Sequence, residues 1–247
     1  MNQRSDTYFS MKIDLYKNYT STSVLHDVDE AEFTKNSALY FRKNLLPHFN
    51  PDKSIAILEI GCGYGRYTKA ILEVGYTNIT GIDISKEQIA YARENLGLHQ
   101  VQEADALEFL QAGNKYDLII LMDVLEHLEI DYAVSLLRKV FESLQDNGRF
   151  ILHVPNSLAP LRPSYYGDVT HIRPFSVDSM SQILRMGGFR KFSHYALPPM
   201  VVGVKSMVRR LLWDFVLNPG IKLFLKIANG STSGGIFTSN LLTVAVK

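Results

Sequence analysis

The sequence predicts an α/β fold, a doubly wound sheet of parallel strands joined by crossover helices. Between residues 51 and 197, short apolar runs alternate with segments of helical period. The first of these runs, ILEI at 57–60, ends in a glycine loop that leads into a helical pattern. Ligands on such a sheet lie outside the carboxyl ends of the strands, near the point where strand order reverses. Candidate functional residues are therefore sought at strand ends.

Taken in order, a polar, tyrosine-bearing start gives way to Phe33, Leu39, Tyr40, Leu45 and Leu46 at roughly helical spacing, up to Pro47. SIAILEI reads as the first strand, RYTKAILEVG as a helix ended by Gly75, and TNITGIDI as the second strand. Ser85 followed by Gln88 has capping-box spacing and opens the helix KEQIAYARENLG. A short strand, HQVQEA, precedes a helical turn at ALEFL, and YDLIILM forms an almost wholly apolar fourth strand. The helix DYAVSLLRKVFESL, the turn DNG and the strand RFILHV complete the alternation.

Composition narrows the class. With 247 residues, 46% of them hydrophobic and 21% charged, the chain can bury one substantial core. A formal net charge of +1 gives no reason to expect a nucleic-acid partner. Cys62, the only cysteine, excludes an intrachain disulfide and fits a reducing compartment. A signal-peptide pattern and an apolar run of about 18 residues are both missing from the sequence, so a cytoplasmic protein is expected.

The glycine loop chooses between ligand classes. A dinucleotide fingerprint needs G-x-G-x-x-G, whereas Gly61, Gly63 and Gly65 are spaced G-x-G-x-G and Arg66 holds the position of the last glycine. Glu59, just before the loop, is a poor neighbour for a pyrophosphate and a good one for a cation. S-adenosylmethionine carries a sulfonium and an ammonium and no phosphate. Asp83 ends the second strand, 18 positions past Gly65, where a carboxylate can accept from both ribose hydroxyls. Asp105, in EADAL, ends the third strand and can accept from an adenine amine. The plainer reading makes the glycines tight turns and the two aspartates solvated loop carboxylates.

EIGCGYGRY, GIDIS, EADAL, YDLIILMDVLEHL and GRFILHVPN follow one another across about residues 40–195. In this order and spacing they resemble the successive motifs of class I S-adenosylmethionine-dependent methyltransferases. The resemblance implies a Rossmann-like seven-stranded sheet with an antiparallel last strand, for which NLLTVAVK serves. It also implies a single domain over 1–247: a helical lead-in at 1–50, a cofactor-binding core at 51–197, a helical insertion at 198–236 and the last strand at 237–247. With S-adenosylmethionine as cofactor, Glu59, Gly61 and Gly63 border its methionine end, and Cys62 and Gly65 belong to the same loop. Asp83 holds the ribose, Ile84 covers one adenine face, and Asp105 with the Ala106 backbone recognises the adenine. Met122 and Asp123 face the reacting sulfonium. Cys62 itself reads as a small buried residue rather than a nucleophile.

YDLIILMDVLEHL together with GDVTHIRPFS resembles a subgroup that includes quinone-biosynthesis O-methyltransferases and enzymes that methylate sugars or surface glycans. The expected reaction is therefore O-methylation of a small or lipid-linked hydroxylated substrate such as a glycan precursor. A quinone-type phenol, or a non-catalytic adenosyl-binding regulator, is the alternative. Methyl transfer is an in-line displacement that depends on alignment, and an alcohol nucleophile also profits from a general base. His171, in a loop after the fifth strand, is the candidate base, with Glu126 and His127 beside it in the catalytic set; a loop-pinning role is the competing reading for His171. His153, within an apolar strand, reads as core or site-lining. Some relatives bind a divalent metal with the trio matching Asp123, Glu126 and His127. Aspartate is shorter than the glutamate those relatives use, so no metal is expected and a loop-bracing role is favoured.

Residues 198–230 carry Lys205, Arg209, Arg210, Lys222 and Lys226 against Asp214 alone. Leu211, Leu212, Phe215 and Val216 follow one helical face, and Pro219 with Gly220 is expected to break the segment in two. A basic amphipathic stretch of this kind, 205–228, fits peripheral contact with the inner membrane face or a lipid-linked saccharide. A helical cap or a homodimer interface packed by the same residues is the favoured reading, so monomer and homodimer both stay open. Tyr16 or Tyr19, with Tyr8 in the lead-in, are candidates to close the pocket or to pack on the sheet edge.

Overall fold

A computed structural model describes residues 36–232 and 234–247; Tyr8, Tyr16 and Tyr19 lie outside them. Seven strands form one sheet: β1 (Ile57–Ile60), β2 (Ile79–Asp83), β3 (Val101–Glu103), β4 (Tyr116–Met122), β5 (Leu144–Pro155), β6 (Lys191–Ala196) and β7 (Asn240–Val246). Their order is β3-β2-β1-β4-β5-β7-β6. β1 runs parallel to β2 and β4, β2 runs parallel to β3, and β7 pairs antiparallel with β6. The order reverses at β1, between β2 and β4, which is where a doubly wound sheet opens a crevice at its carboxyl edge.

The chain divides into two compact units, one running to Met122 and including Glu142–Phe150, the other made of Asp123–Phe141 and Ile151–Lys247. In the first, β1 is buried along its whole length, as a central parallel strand covered on both faces must be. Helix α1 (Arg66–Glu73) turns Tyr67, Thr68, Ala70 and Ile71 inward. Helix α2 (Lys86–Leu96) starts where the Ser85 hydroxyl accepts the Gln88 N–H at 3.4 Å and stops at the left-handed Gly97. Helix α3 (Ala106–Leu110) is capped by the Asp105 carboxylate. Ahead of β1, Phe41 and Leu45 are fully buried, and Phe49 meets both Phe41 and Tyr76 edge-on with ring centroids 5.3 Å apart.

The second unit holds helices α4 (Ile130–Ser143, to Phe141), α5 (Pro163–Tyr166) and α6 (Val177–Met186), with β6 and β7. Asn156, fully buried just after β5, fastens the lead into β7. Its Nδ2 donates to the carbonyls of Ile236 and Thr238 at 3.0 and 2.9 Å, its backbone N–H donates to Ser239, and its Oδ1 accepts from Leu158 N–H.

Two local features differ from the sequence expectation. β5 begins at Leu144 rather than after the D-N-G turn, because Asn147 takes up a left-handed conformation (φ 62°) that asparagine tolerates without ending the strand. Pro219 and Gly220 do not break the insertion. Helix α7 (Val204–Leu212) passes through a π-helical turn, Trp213–Leu217, into helix α8 (Asn218–Asn229), and both junctions keep right-handed helical dihedrals. The π turn sends the Asn218 N–H to the Trp213 carbonyl, at i−5, just ahead of Pro219, and such an irregular turn is where a continuous helix can take up a residue with no N–H to donate. No helix among the described residues is long and apolar enough to cross a membrane.

Replacing Asn156 by Ala removes three side-chain hydrogen bonds and strands buried carbonyls, so a loss of about 3 kcal/mol is expected in urea unfolding. A change within about 0.5 kcal/mol, the range of an ordinary surface substitution, would mean that the β7 lead is held by something else.

Candidate functional site

The first unit carries a backbone cradle at the end of β1. Gly61, Gly63 and Gly65 all have positive φ (72°, 55° and 85°), a region closed to most side chains. Space adds a second restriction at Gly65, where a Cβ would lie 2.3 Å from Cδ1 of the buried Leu98. Asp83, at the end of β2, holds the loop in place. Its Oδ2 accepts the Gly63 N–H and its Oδ1 the Ser85 N–H, both at 2.8 Å. Burial raises the Asp83 pKa, and these backbone donors oppose the rise. Each carboxylate oxygen has a second lone pair, so an additional donor can still be accepted.

Glu59 lies beneath the loop, fully buried, with the Thr68 hydroxyl donating to its Oε2 at 2.5 Å. Thr68 had no sequence signal of its own; its place in the first turn of α1 supplies the contact. Cys62 turns its side chain away from the loop into a cluster with Ile89, Ala92, Leu98 and Val101. Burial pushes its thiol pKa well above the ordinary value, which rules out a ready thiolate. Asp105 Oδ1 is committed to the cap of α3, accepting from Leu107 and Glu108 N–H at 2.9 and 3.1 Å, and Ala106 is the first helical residue. Ile84 is half-buried between β2 and α2, and Met122 is buried at the end of β4.

The second unit carries a cluster of acid and imidazole groups. Asp123, the residue after Met122, adopts φ 55°, donates its N–H to the His153 carbonyl at 3.1 Å, and places Oδ1 2.6 Å from His153 Nδ1. A 3-10 turn, Leu125–His127, then buries Glu126 and His127. Asp123, Glu126 and His127 are thus not one ligand set. The group that converges is Glu126, His127 and His171, whose donor atoms all lie within 4.8 Å of one another. His171 reaches it because the Glu126 carbonyl accepts the N–H groups of Ile172 and Arg173 at 3.0 and 3.1 Å.

Hydrogen bonds fix the tautomers. His171 Nδ1 lies 2.7 Å from the Tyr165 carbonyl, which can only accept, so in the neutral ring Nδ1 carries the proton and Nε2 the lone pair. That Nε2 is 3.8 Å from Glu126 Oε1, and the Tyr165 ring stacks on the imidazole at 5.6 Å. Thr170 Oγ1 donates to Asp168 Oδ1 at 2.6 Å and therefore accepts from His127 Nδ1 at 2.9 Å. Burial, then repulsion from His171 whenever that ring is protonated, lowers the His127 pKa to about 4. Glu126 is fully buried, and among the described residues neither carboxylate oxygen has a hydrogen-bond partner. Burial, then the charge of Asp123, raises its pKa well above the carboxylate range. Tyr165, Asp168 and Thr170 were not singled out in the sequence.

A family model described as a methyltransferase domain matches residues 31–194. The chain belongs to that family. Within it, the chain is 28% identical over 123 residues to a ubiquinone biosynthesis O-methyltransferase of Rickettsia canadensis, a match that covers 48% of this chain and 50% of the relative. It is 25% identical over 206 residues to an O-methyltransferase of Penicillium expansum, covering 79% and 67%. The chain spans about half the length of the Rickettsia relative. A S-adenosylmethionine-dependent methyltransferase from Archaeoglobus fulgidus superposes with a TM-score of 0.64 at 20% identity, over 94% of this chain and 98% of that one, which establishes the fold.

The cofactor of this methyltransferase family is S-adenosylmethionine. Burial raises the Glu59 pKa to about 7, opposed by the Thr68 hydrogen bond and the Arg66 charge. A pKa raised on folding stabilises the protein fully below the unfolded value near 4.5, and that contribution is lost as pH rises through about 7. Without ligand, the chain is therefore expected to lose up to about 3 kcal/mol between pH 5 and pH 8 through this group. Glu59→Gln should flatten that slope in urea unfolding; an unchanged slope would place the titration elsewhere.

Proposed function

We propose that the chain transfers the methyl group of S-adenosylmethionine to a hydroxyl of a small or lipid-linked saccharide in the cytoplasm, with His171 as general base. The observation that carries the base assignment is the hydrogen bond from His171 Nδ1 to the Tyr165 carbonyl, which leaves Nε2 as the basic nitrogen. The hydroxyl oxygen bonds to the methyl carbon, the carbon–sulfur bond breaks, S-adenosylhomocysteine leaves, and the hydroxyl proton goes to His171 Nε2. Glu59 and the loop of Gly61, Cys62, Gly63 and Gly65 take the methionine end, the Glu59 carboxylate answering the ammonium. Asp83 takes the ribose, Ile84 and the Asp105–Ala106 segment the adenine, and Met122 with Asp123 the sulfonium side.

A phenolic acceptor of the quinone type is the second reading, favoured by the ubiquinone biosynthesis O-methyltransferase of Rickettsia canadensis. The convergence of Glu126, His127 and His171 supports a further variant, in which these three hold a divalent cation that acidifies the acceptor hydroxyl. The donor set fits a metal chemically: Glu126 has two orphaned buried oxygens, and each histidine has its Nδ1 bound to an outer partner. A spread of up to 4.8 Å is wider than the roughly 3.4 Å separating ligands around a tetrahedral ion, so the three side chains would contract on binding.

Turnover is read as S-adenosylhomocysteine release over a panel of nucleotide sugars, lipid-linked saccharides and catechols. His171→Ala is expected to lower turnover by about 10²- to 10⁴-fold while cofactor affinity stays within about twofold. Unchanged turnover would remove His171 from the chemistry. Activity lost in EDTA and restored by Mn²⁺ would favour the cation variant, and activity indifferent to EDTA would exclude it.

A further inference from the structure

The helical run of α7, the π turn and α8 is built with its apolar side outward. Ser206 is buried, and Arg210, Trp213, Asp214, Asn218, Ile221 and Leu225 are half-buried, so the side of the run that faces the protein mixes polar and apolar residues. Val204, Val208, Leu211, Phe215, Phe224 and Ile227 lie on the exposed side; Phe215 is 75% exposed, Phe224 67% and Ile227 78%. A helix that packs on its own protein does the reverse, sending its apolar stripe inward. Exposed apolar surface of this extent on consecutive helical turns marks an interaction face.

Charge indicates what covers it. Lys205, Arg209, Lys222 and Lys226 are exposed along the same run, and Asp214, the sole acid of residues 198–230, is held by Arg210 at 2.6 Å. A second copy placed face to face would set one basic stripe against another. An anionic surface with an apolar interior satisfies both components, the lysines and arginine at the headgroups and the phenylalanines below them. Since no described helix can cross a membrane, the run would lie in the plane of the interface.

We propose that residues 204–229 form an interfacial anchor that docks this methyltransferase on an anionic membrane surface. Docking requires only the helical run, so it is independent of which acceptor is methylated and can be read without turnover. The full chain is floated with phosphatidylcholine vesicles and with vesicles that also contain phosphatidylglycerol, and its mass in solution is measured in parallel. Binding is expected to the phosphatidylglycerol vesicles alone, and to fall as salt is raised. Phe215→Asp with Phe224→Asp, and separately Lys222→Glu with Lys226→Glu, should each weaken it by at least about tenfold. These side chains are exposed, so folding should survive, and far-UV circular dichroism checks it. Failure to float with phosphatidylglycerol overturns the proposal, as does binding that both double variants retain. A dimer that Phe215→Asp dissociates, with no vesicle binding, would assign the face to a second copy instead.

Discussion

The Asp83 carboxylate is the tie on which the strand-end loop depends. Three glycines of the loop stand at positive φ, a region open to glycine at little cost, so the loop needs a contact that selects this one shape from the many glycine allows. Asp83 provides it by accepting from Gly63 N–H on one side and Ser85 N–H on the other. β2 thereby fixes the loop that follows β1, and the same contact places Ser85 to cap α2. Because β1 and β2 are parallel neighbours in register, Glu59 opposite Gly81, both ends meet at one edge of the sheet. The burial that makes this rigid also raises the pKa of Glu59, so an acid that is half neutral near pH 7 waits under the loop.

An analogous economy operates in the second unit. One carbonyl, that of Glu126, receives both Ile172 and Arg173, and this is enough to bring a loop residue distant in sequence, His171, beside Glu126 and His127. The neighbours then set proton positions: the Tyr165 carbonyl for His171, and the Thr170–Asp168 relay for His127. A buried carboxyl without hydrogen-bond partners is costly unless it is neutral or a nearby group supplies the opposite charge. Glu126 is therefore the group whose protonation reports on what occupies this cluster.

Much of the fold was legible because it is written locally. The alternation of apolar runs with helical periods located the strands, and the spacing of Ser85 and Gln88 marked the start of α2. The spacing of Gly61, Gly63 and Gly65, with Arg66 where a dinucleotide loop needs glycine, pointed to an adenosyl sulfonium rather than NAD, and family membership agrees. What stayed hidden depends on contacts between distant segments. D-x-x-E-H looks like one trio in the sequence, but the left-handed backbone at Asp123 turns its carboxylate to His153 and leaves Glu126 and His127 to His171. Pro219 with Gly220 is a strong break signal, yet a π turn just before it lets the helix continue. The outward direction of the apolar stripe at 204–229 follows from which side packs, and the helical period is silent on that.

The most direct test of the account is calorimetric titration of the purified chain with S-adenosylmethionine and, separately, with NAD⁺. Saturable one-to-one binding of S-adenosylmethionine, with no heat from NAD⁺, is the predicted result. Binding of NAD⁺ in place of S-adenosylmethionine would contradict it, and would mean that the loop held by Asp83 serves a pyrophosphate after all.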